Sequence, residues 1–152
     1  MTNVTFYILE QQDNEQPQHW LLACQLATEC FRKKQRCLVR CADQQSAEAF
    51  DELLWQRPLD AFVPHNMTGE GPKGGAAVEI SWQNANTGPR PVLINLLDEM
   101  PNDASRFRQI FDFVPSEESA KQQARERYKH YRAAGLNMQT LPASSIKENI
   151  DG

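Results

Sequence analysis

The sequence predicts one α/β domain, built as three layers, α/β/α, around a mixed but largely parallel sheet. Three observations carry this expectation. The chain opens strand, helix, strand, helix, which is how a fold with parallel strands begins. The run Val92-Leu93-Ile94-Asn95-Leu96 is nearly all apolar, as suits a strand covered on both faces. A length of 152 residues fits a single core, burying roughly two thirds of the unfolded surface, and neither a repeat nor a linker divides it.

Each element has its own signature. Val4-Thr5-Phe6-Tyr7-Ile8-Leu9 is β-branched and aromatic, hence a strand. A polar loop with Pro17 follows. From His19 to Lys33 the apolar residues Trp20, Cys24, Ala27 and Phe31 recur at helical spacing. Arg32-Lys33-Lys34 ends that helix with cations at the negative end of its dipole. Cys37 to Ala42 reads as a strand. Asp43 can cap a second helix through Trp55, turning Ala47, Phe50, Leu53 and Leu54 inward before Pro58 stops it. Ala61-Phe62-Val63 is a short strand-like piece ended by Pro64, and a glycine-rich loop runs from Gly69 to Gly75.

Val78-Glu79-Ile80-Ser81-Trp82 alternates with period two, as a half-exposed strand does. A polar turn from Asn84 to Arg90 leads into the apolar strand at Val92. Asn102 can cap a short helix through about Arg108. Ile110 to Val114 is a strand closed by Pro115. Ser116 can cap the last helix, with Glu117 and Glu118 in its first turn, and Gly135 is a natural residue to end it. Beyond Gln139 the chain is polar and unpatterned. The expected organisation is therefore a domain over 1–138 and a flexible tail over 139–152.

Composition narrows the function. Hydrophobic residues make up 40% and charged residues 24%, an ordinary soluble balance. The net charge of -4 argues against a protein that coats nucleic acid along its whole surface. No apolar run approaches the ~20 residues of a membrane-spanning helix, and no basic-then-apolar leader is visible, so a cytoplasmic protein is expected. Cys37 and Cys41 lie at the two ends of one strand, roughly 13 Å apart, too far for a disulfide. With Cys24 and Cys30 on a helix, all four read as buried thiols. The three histidines have no metal-ligand spacing with a cysteine or with one another.

Among possible chemical motifs, Gly69-Glu70-Gly71-Pro72-Lys73-Gly74 matches the G-x-G-x-x-G of dinucleotide sites. Such a motif should follow the first strand and open a helix; here it precedes a strand. A nucleotide-binding α/β enzyme using the Gly69–Gly75 loop is the alternative function, and a turn requiring positive φ is the simpler account. His65 reads as a structural hydrogen bonder. Asp98 and Glu99 are adjacent, so in extended chain they point to opposite faces. No serine or cysteine sits in a nucleophile elbow, and no cofactor or metal is expected.

The last helix is the stronger signal. At 100° per residue, Lys121, Arg125, Tyr128, Lys129 and Arg132 fall within an arc of about 100°, while Ala120, Ala124, Tyr131 and Ala134 form the neighbouring, sheet-facing side. An aromatic ring inside a cationic stripe suits an acidic peptide with an apolar side chain; single-stranded nucleic acid is the rival ligand. A second candidate is Trp55, Pro58, Phe62 and Val63. There a helix end meets the surface, a place where aromatic residues favour protein contacts.

These blocks resemble a known family. Thr5-Phe6-Tyr7, Asp51-Glu52-Leu53-Leu54-Trp55, Arg57-Pro58, Phe62-Val63-Pro64-His65-Asn66, Gly69-Glu70-Gly71-Pro72, Asp112-Phe113-Val114-Pro115 and Ala124-Arg125-Glu126-Arg127-Tyr128-Lys129 are similar to the chi subunits of bacterial DNA polymerase III. The similarity runs from about Thr5 to Asn137. Ala77 stands where the family often has proline. The resemblance implies a Rossmann-like domain that binds no nucleotide, serving as a non-catalytic accessory of the clamp-loader assembly in DNA replication. It implies two partners: the psi subunit, and the acidic, phenylalanine-terminated tail of single-stranded-DNA-binding protein. The tail site would use Val114, Lys121, Arg125, Tyr128 and Lys129, and the psi surface Trp55, Pro58 and Phe62. A helicase-like protein is a further partner for the psi surface. Neither tight direct nucleic-acid binding nor a membrane is expected.

Overall fold

The strand and helix signatures become a seven-stranded sheet between helical layers. The computed structural model describes residues 1–9, 18–56, 63–68, 76–82 and 90–145. Along the chain lie β1 (Asn3–Ile8), α1 (Gln18–Arg32), β2 (Cys37–Cys41), α2 (Gln44–Gln56), β3 (His65–Met67) and β4 (Val78–Trp82). Then come β5 (Val92–Asn95), a 3-10 turn (Ala104–Arg106), β6 (Gln109–Val114), α3 (Glu118–Ala133) and β7 (Asn137–Pro142). The strand order is β3-β4-β2-β5-β6-β1-β7. Every pairing among the described residues is parallel, so there the expected mixed sheet is a parallel one.

Alternation along the strands sorts the core into two layers. Tyr7, Val39, Ile80, Ile94 and Phe113 meet α1 and α2 on one face, against Leu22, Leu26, Phe50 and Leu54. Val4, Phe6, Leu38, Leu93 and Ile110 meet Ala124 and Tyr131 of α3 on the other, joined by Ala104 and Phe107. All four cysteines are buried and none is in a disulfide.

Helix α3 is docked by polar bonds. Its buried residues are Ala124, Arg127 and Tyr131. The Arg127 guanidinium meets Asp112 of β6 at 3.1 Å, with the two side chains only 7% and 1% exposed. Arg127 Nη1 also donates to the Asp98 carbonyl and Nη2 to the Phe113 carbonyl, each at 3.0 Å. The same carboxylate accepts from the Tyr131 hydroxyl at 2.8 Å and from Asn95 Nδ2 at 3.1 Å. Burial, and then Asp112 beside it, push the Tyr131 hydroxyl well above its ordinary pKa, so it stays a donor. A buried charge pair is tolerated only when its hydrogen bonds are satisfied in this way.

Several expectations shift. The strand expected at Ala61–Val63 begins instead at His65. Pro64 offers its carbonyl to Val78 N–H at 3.2 Å but has no N–H of its own, so the ladder starts beyond it. Ala61 and Phe62 lie outside the described residues. The helix expected from Asn102 shrinks to the 3-10 turn, because the Asp103 carboxylate holds Arg40 rather than capping. Glu117, not Ser116, caps α3. Phe31 turns outward, at 36% exposed, and leaves Cys30 as the inward residue of that turn. The boundary expected at residue 138 is crossed by β7, which pairs with β1 through Pro142. Gly135 takes φ 85°, reversing the chain from α3 into that strand.

Two outcomes follow from the docking of α3. Arg127→Met should cost about 3–5 kcal/mol, because it strands the buried Asp112 charge; urea unfolding measures this, and a loss below about 1 kcal/mol would deny the pair its anchoring role. His19, whose ring lies 6.1 Å from that of Phe113, has a pKa lowered to about 4, first by burial and then by the Arg127 charge. Its unfolded value is about 6.5, so between those values the unfolded chain binds more protons. Stability from this group is complete above about pH 6.5 and is lost as pH falls towards about 4, by up to about 3 kcal/mol. His19→Gln should flatten that acid limb, and superimposable limbs for variant and parent would refute it.

Candidate functional site

The sequence of α3 gives it two characters around its circumference. Ala124, Arg127 and Tyr131 face the sheet, Tyr128 and Lys121 are half-buried beside them, and Arg125 and Lys129 stand exposed. Ala134, expected inward, is the exposed C-cap. The Tyr128 ring packs 5.5 Å from that of Phe6. Val114, at the end of β6, rests half-buried against the same core layer as Tyr128. Arg125 bonds Gln122 and Lys129 bonds Glu126, each at 3.5 Å and exposed. Such contacts hold weakly in water and yield to a better anion. The stripe therefore sits on one side of the molecule, with an apolar edge and a cationic rim.

The structure adds a floor that the sequence reading missed. Ile8 pairs with Val114 of β6 and with Pro142 of β7. Alternation puts Ile8 on the same face as Val4 and Phe6, beneath α3, and it is 47% exposed. Val114, Ile8 and Pro142 thus form an apolar step across three neighbouring strands, with Tyr128 of α3 packed on the same core layer. No sequence signal separates Ile8 from its neighbours, since Val4 to Leu9 is apolar or β-branched throughout.

Trp55 lies in the last turn of α2 and is 57% exposed. Its ring meets His65 edge-on at 4.7 Å. His65 is held by the Val63 carbonyl at Nδ1, 2.7 Å away, and faces Asp51 at 3.4 Å from Nε2. The histidine is thus a brace under the tryptophan. Pro58 and Phe62, the other expected members of this surface, lie outside the described residues, as does the Gly69–Gly75 loop.

A crevice of about 300 Å³ opens at the carboxyl ends of β1, β5 and β6. It lies where the chain leaves β1 for α1 on one face and β6 for α3 on the other, the usual ligand position in such sheets. A phosphate there would seek the first N–H groups of α3. Those of Ser119 and Ala120 are already bonded to the Glu117 carboxylate, at 3.0 and 2.8 Å. These bonds lower the Glu117 pKa and keep the carboxylate charged in place. Arg127, in the crevice wall, is committed to Asp112. The helix start that a phosphate would seek is thus occupied by the chain's own carboxylate.

The comparisons with known proteins agree with the resemblance. The family model for the DNA polymerase III chi subunit, HolC, matches residues 1–139. The DNA polymerase III subunit chi of Escherichia coli strain K12 is 47% identical over 146 residues, covering 92% of this chain and 97% of that one. Its counterpart in Haemophilus influenzae is 43% identical over 120 residues, 78% of this chain and 83% of the other. That of Pseudomonas aeruginosa is 31% identical over 140 residues, 91% and 95%. Among solved structures, the C-terminal domain of the DEAD-box protein Dbp5 superposes with a TM-score of 0.60 at 10% identity, covering 97% of this chain and 95% of that domain. T4 UvsW gives 0.59 at 9% identity, covering 93% of this chain and 41% of the other. These likenesses are of fold alone, and they bear out the Rossmann-like layering. With the family model matched over residues 1–139 and a relative 47% identical over 146 residues, the chain belongs to the DNA polymerase III chi subunit family.

Proposed function

We propose that this chain is a non-catalytic accessory subunit of the bacterial clamp-loader assembly, working in the cytoplasm as a tether. One surface holds the psi subunit and the other holds the acidic C-terminal tail of single-stranded-DNA-binding protein. The observation that carries the tail site is the pairing of an apolar step, Val114 and Ile8, with the Tyr128 ring and a rim of Lys121, Arg125 and Lys129 on α3. Arg125 and Lys129 clamp the terminal carboxylate and Lys121 steers the acidic stretch. Val114, Ile8 and Tyr128 receive the phenylalanine side chain. The psi surface is centred on Trp55, an exposed aromatic of the kind that anchors protein interfaces, with Pro58 and Phe62 beside it in the sequence. A helicase-like protein would compete for this surface. A weak contact and a tight one on one rigid domain raise the effective concentration of the polymerase at protein-coated single strands.

Arg125→Ala should weaken binding of a labelled acidic tail peptide by about 1.5–3 kcal/mol, the cost of losing a charged hydrogen bond. Fluorescence anisotropy across a salt series reads it; affinity indifferent to both the substitution and salt would rule out the clamp. Trp55→Ala should weaken psi binding by about 2 kcal/mol or more while leaving the tail affinity unchanged. Calorimetry with each partner separates the two sites, and joint loss of both affinities would contradict their independence.

A further inference from the structure

In a parallel sheet all strands start at one edge, so every connection feeding a strand arrives there. The described stretches leading into strands at that edge are 33–36 into β2, 63–64 into β3, 76–77 into β4, 90–91 into β5, 107–108 into β6 and 134–136 into β7, with the last turns of the helices and the 3-10 turn beside them. They hold Arg32, Lys33, Lys34, Arg36, Arg108 and Arg132, all exposed, and one carboxylate, Glu29, which pairs with Lys33 at 3.3 Å. Arg90 and Arg106 lie in the same connections, bonded to Glu79 and Asp103. At the opposite edge the described connections include 42–43, 96–102, 115–117 and 143–145. These carry Asp43, Asp98, Glu99 and Glu117, and no Lys or Arg. A protein of net charge -4 therefore keeps one strongly cationic edge.

Helix dipoles account for only part of this polarity. They favour cations in the last turns of α1 and α3, but Arg36 and Arg108 directly precede strands and lie in no helix end. Strands β2, β5, β6, β1 and β7 are consecutive neighbours, so the cations from Arg36 to the α3–β7 turn spread along about 19 Å, at ~4.8 Å per strand. Beside them, in the last turn of α1, Phe31 holds its ring 36% exposed.

We propose that this edge binds single-stranded DNA, with the phosphodiester backbone running along the cations and an unpaired base stacking on Phe31. An acidic peptide would require an apolar pocket among the charges, as the α3 cradle has; the edge offers a line of charge and a single ring instead. Arginine supplies four of the six exposed cations, and its planar fork suits phosphate oxygens. A line of cations reads no sequence, so the contact is non-specific, weak for an acidic protein in isolation, and steeply salt-dependent. It adjoins the α3 stripe at Arg132, but it includes none of the residues assigned to the tail and does not rest on that assignment.

The test is fluorescence anisotropy with a labelled oligothymidylate of about 20 nucleotides, read between about 50 and about 200 mM salt. If four phosphates are engaged, affinity should fall about 50-fold across that range. The combined variant Lys33→Ala, Lys34→Ala, Arg36→Ala should lose about tenfold or more at low salt and show a shallower salt slope. Arg108→Ala with Arg132→Ala, on other elements, should repeat the loss, so that a folding defect in one variant does not decide the matter. Phe31→Ala should lose about fivefold, and Arg125→Ala should change nothing. Absence of binding at low salt, binding that survives both edge variants, or loss confined to Arg125→Ala would overturn the proposal. So would a polyglutamate of equal charge that competes as well as unlabelled DNA, which would mark the edge as a surface for acidic protein.

Discussion

The ion pair between Asp112 and Arg127 is the constraint on which the arrangement of the outer helix rests. A helix that presents alanine, arginine and tyrosine to a sheet has little apolar area with which to dock. The fold supplies directional bonds instead. One carboxylate collects Arg127, Tyr131 and Asn95, and the guanidinium adds two backbone carbonyls. An apolar stripe tolerates a small slide or roll, whereas a guanidinium fixed to acceptors on β6 and on the β5 loop does not. The angular position of α3 is set in this way. With it are set the places of Lys121, Arg125, Tyr128 and Lys129 relative to Ile8 and Val114.

The same network bears on the crevice at the carboxyl ends of the strands. Related layerings reserve that position for ligands. Here the arginine in its wall is turned to structural use, and the helix start is capped by Glu117. The likeness to the C-terminal domain of the DEAD-box protein Dbp5 is one of fold alone. The exposed features described above lie elsewhere: on the outer face of α3, at Trp55 near the end of α2 and along the amino edge of the sheet.

Strands with an unbroken apolar or alternating run were legible, as were the first two helices, because each carries its own period and punctuation. β7 was not. Asn137-Met138-Gln139-Thr140-Leu141-Pro142 is an edge strand with a neighbour on one side only, mostly exposed, so its composition resembles loop. The inner face of α3 was only half legible, since a buried arginine has the same letter as a surface one and its partner lies 15 positions away. The cationic stripe was readable because surface charge needs no partner to show its spacing. Its floor was not, since Ile8 enters through strand register. Phe31 fell on the apolar period of α1 yet turned outward, because Cys30 beside it takes the inward place of that turn.

β1 lies between β6 and β7, so the first strand in the chain has late-arriving neighbours on both sides. Thr5 receives a side-chain bond from Gln109 across 104 positions, and Asn3 one from Asn137 across 134. Contacts of such long range close slowly. During synthesis β1 stays unpaired until β6 has emerged from the ribosome, and its outer side stays open until β7 follows. The groove beneath α3, floored by Ile8, Val114 and Pro142, accordingly exists only in a chain whose first and last described strands have already met.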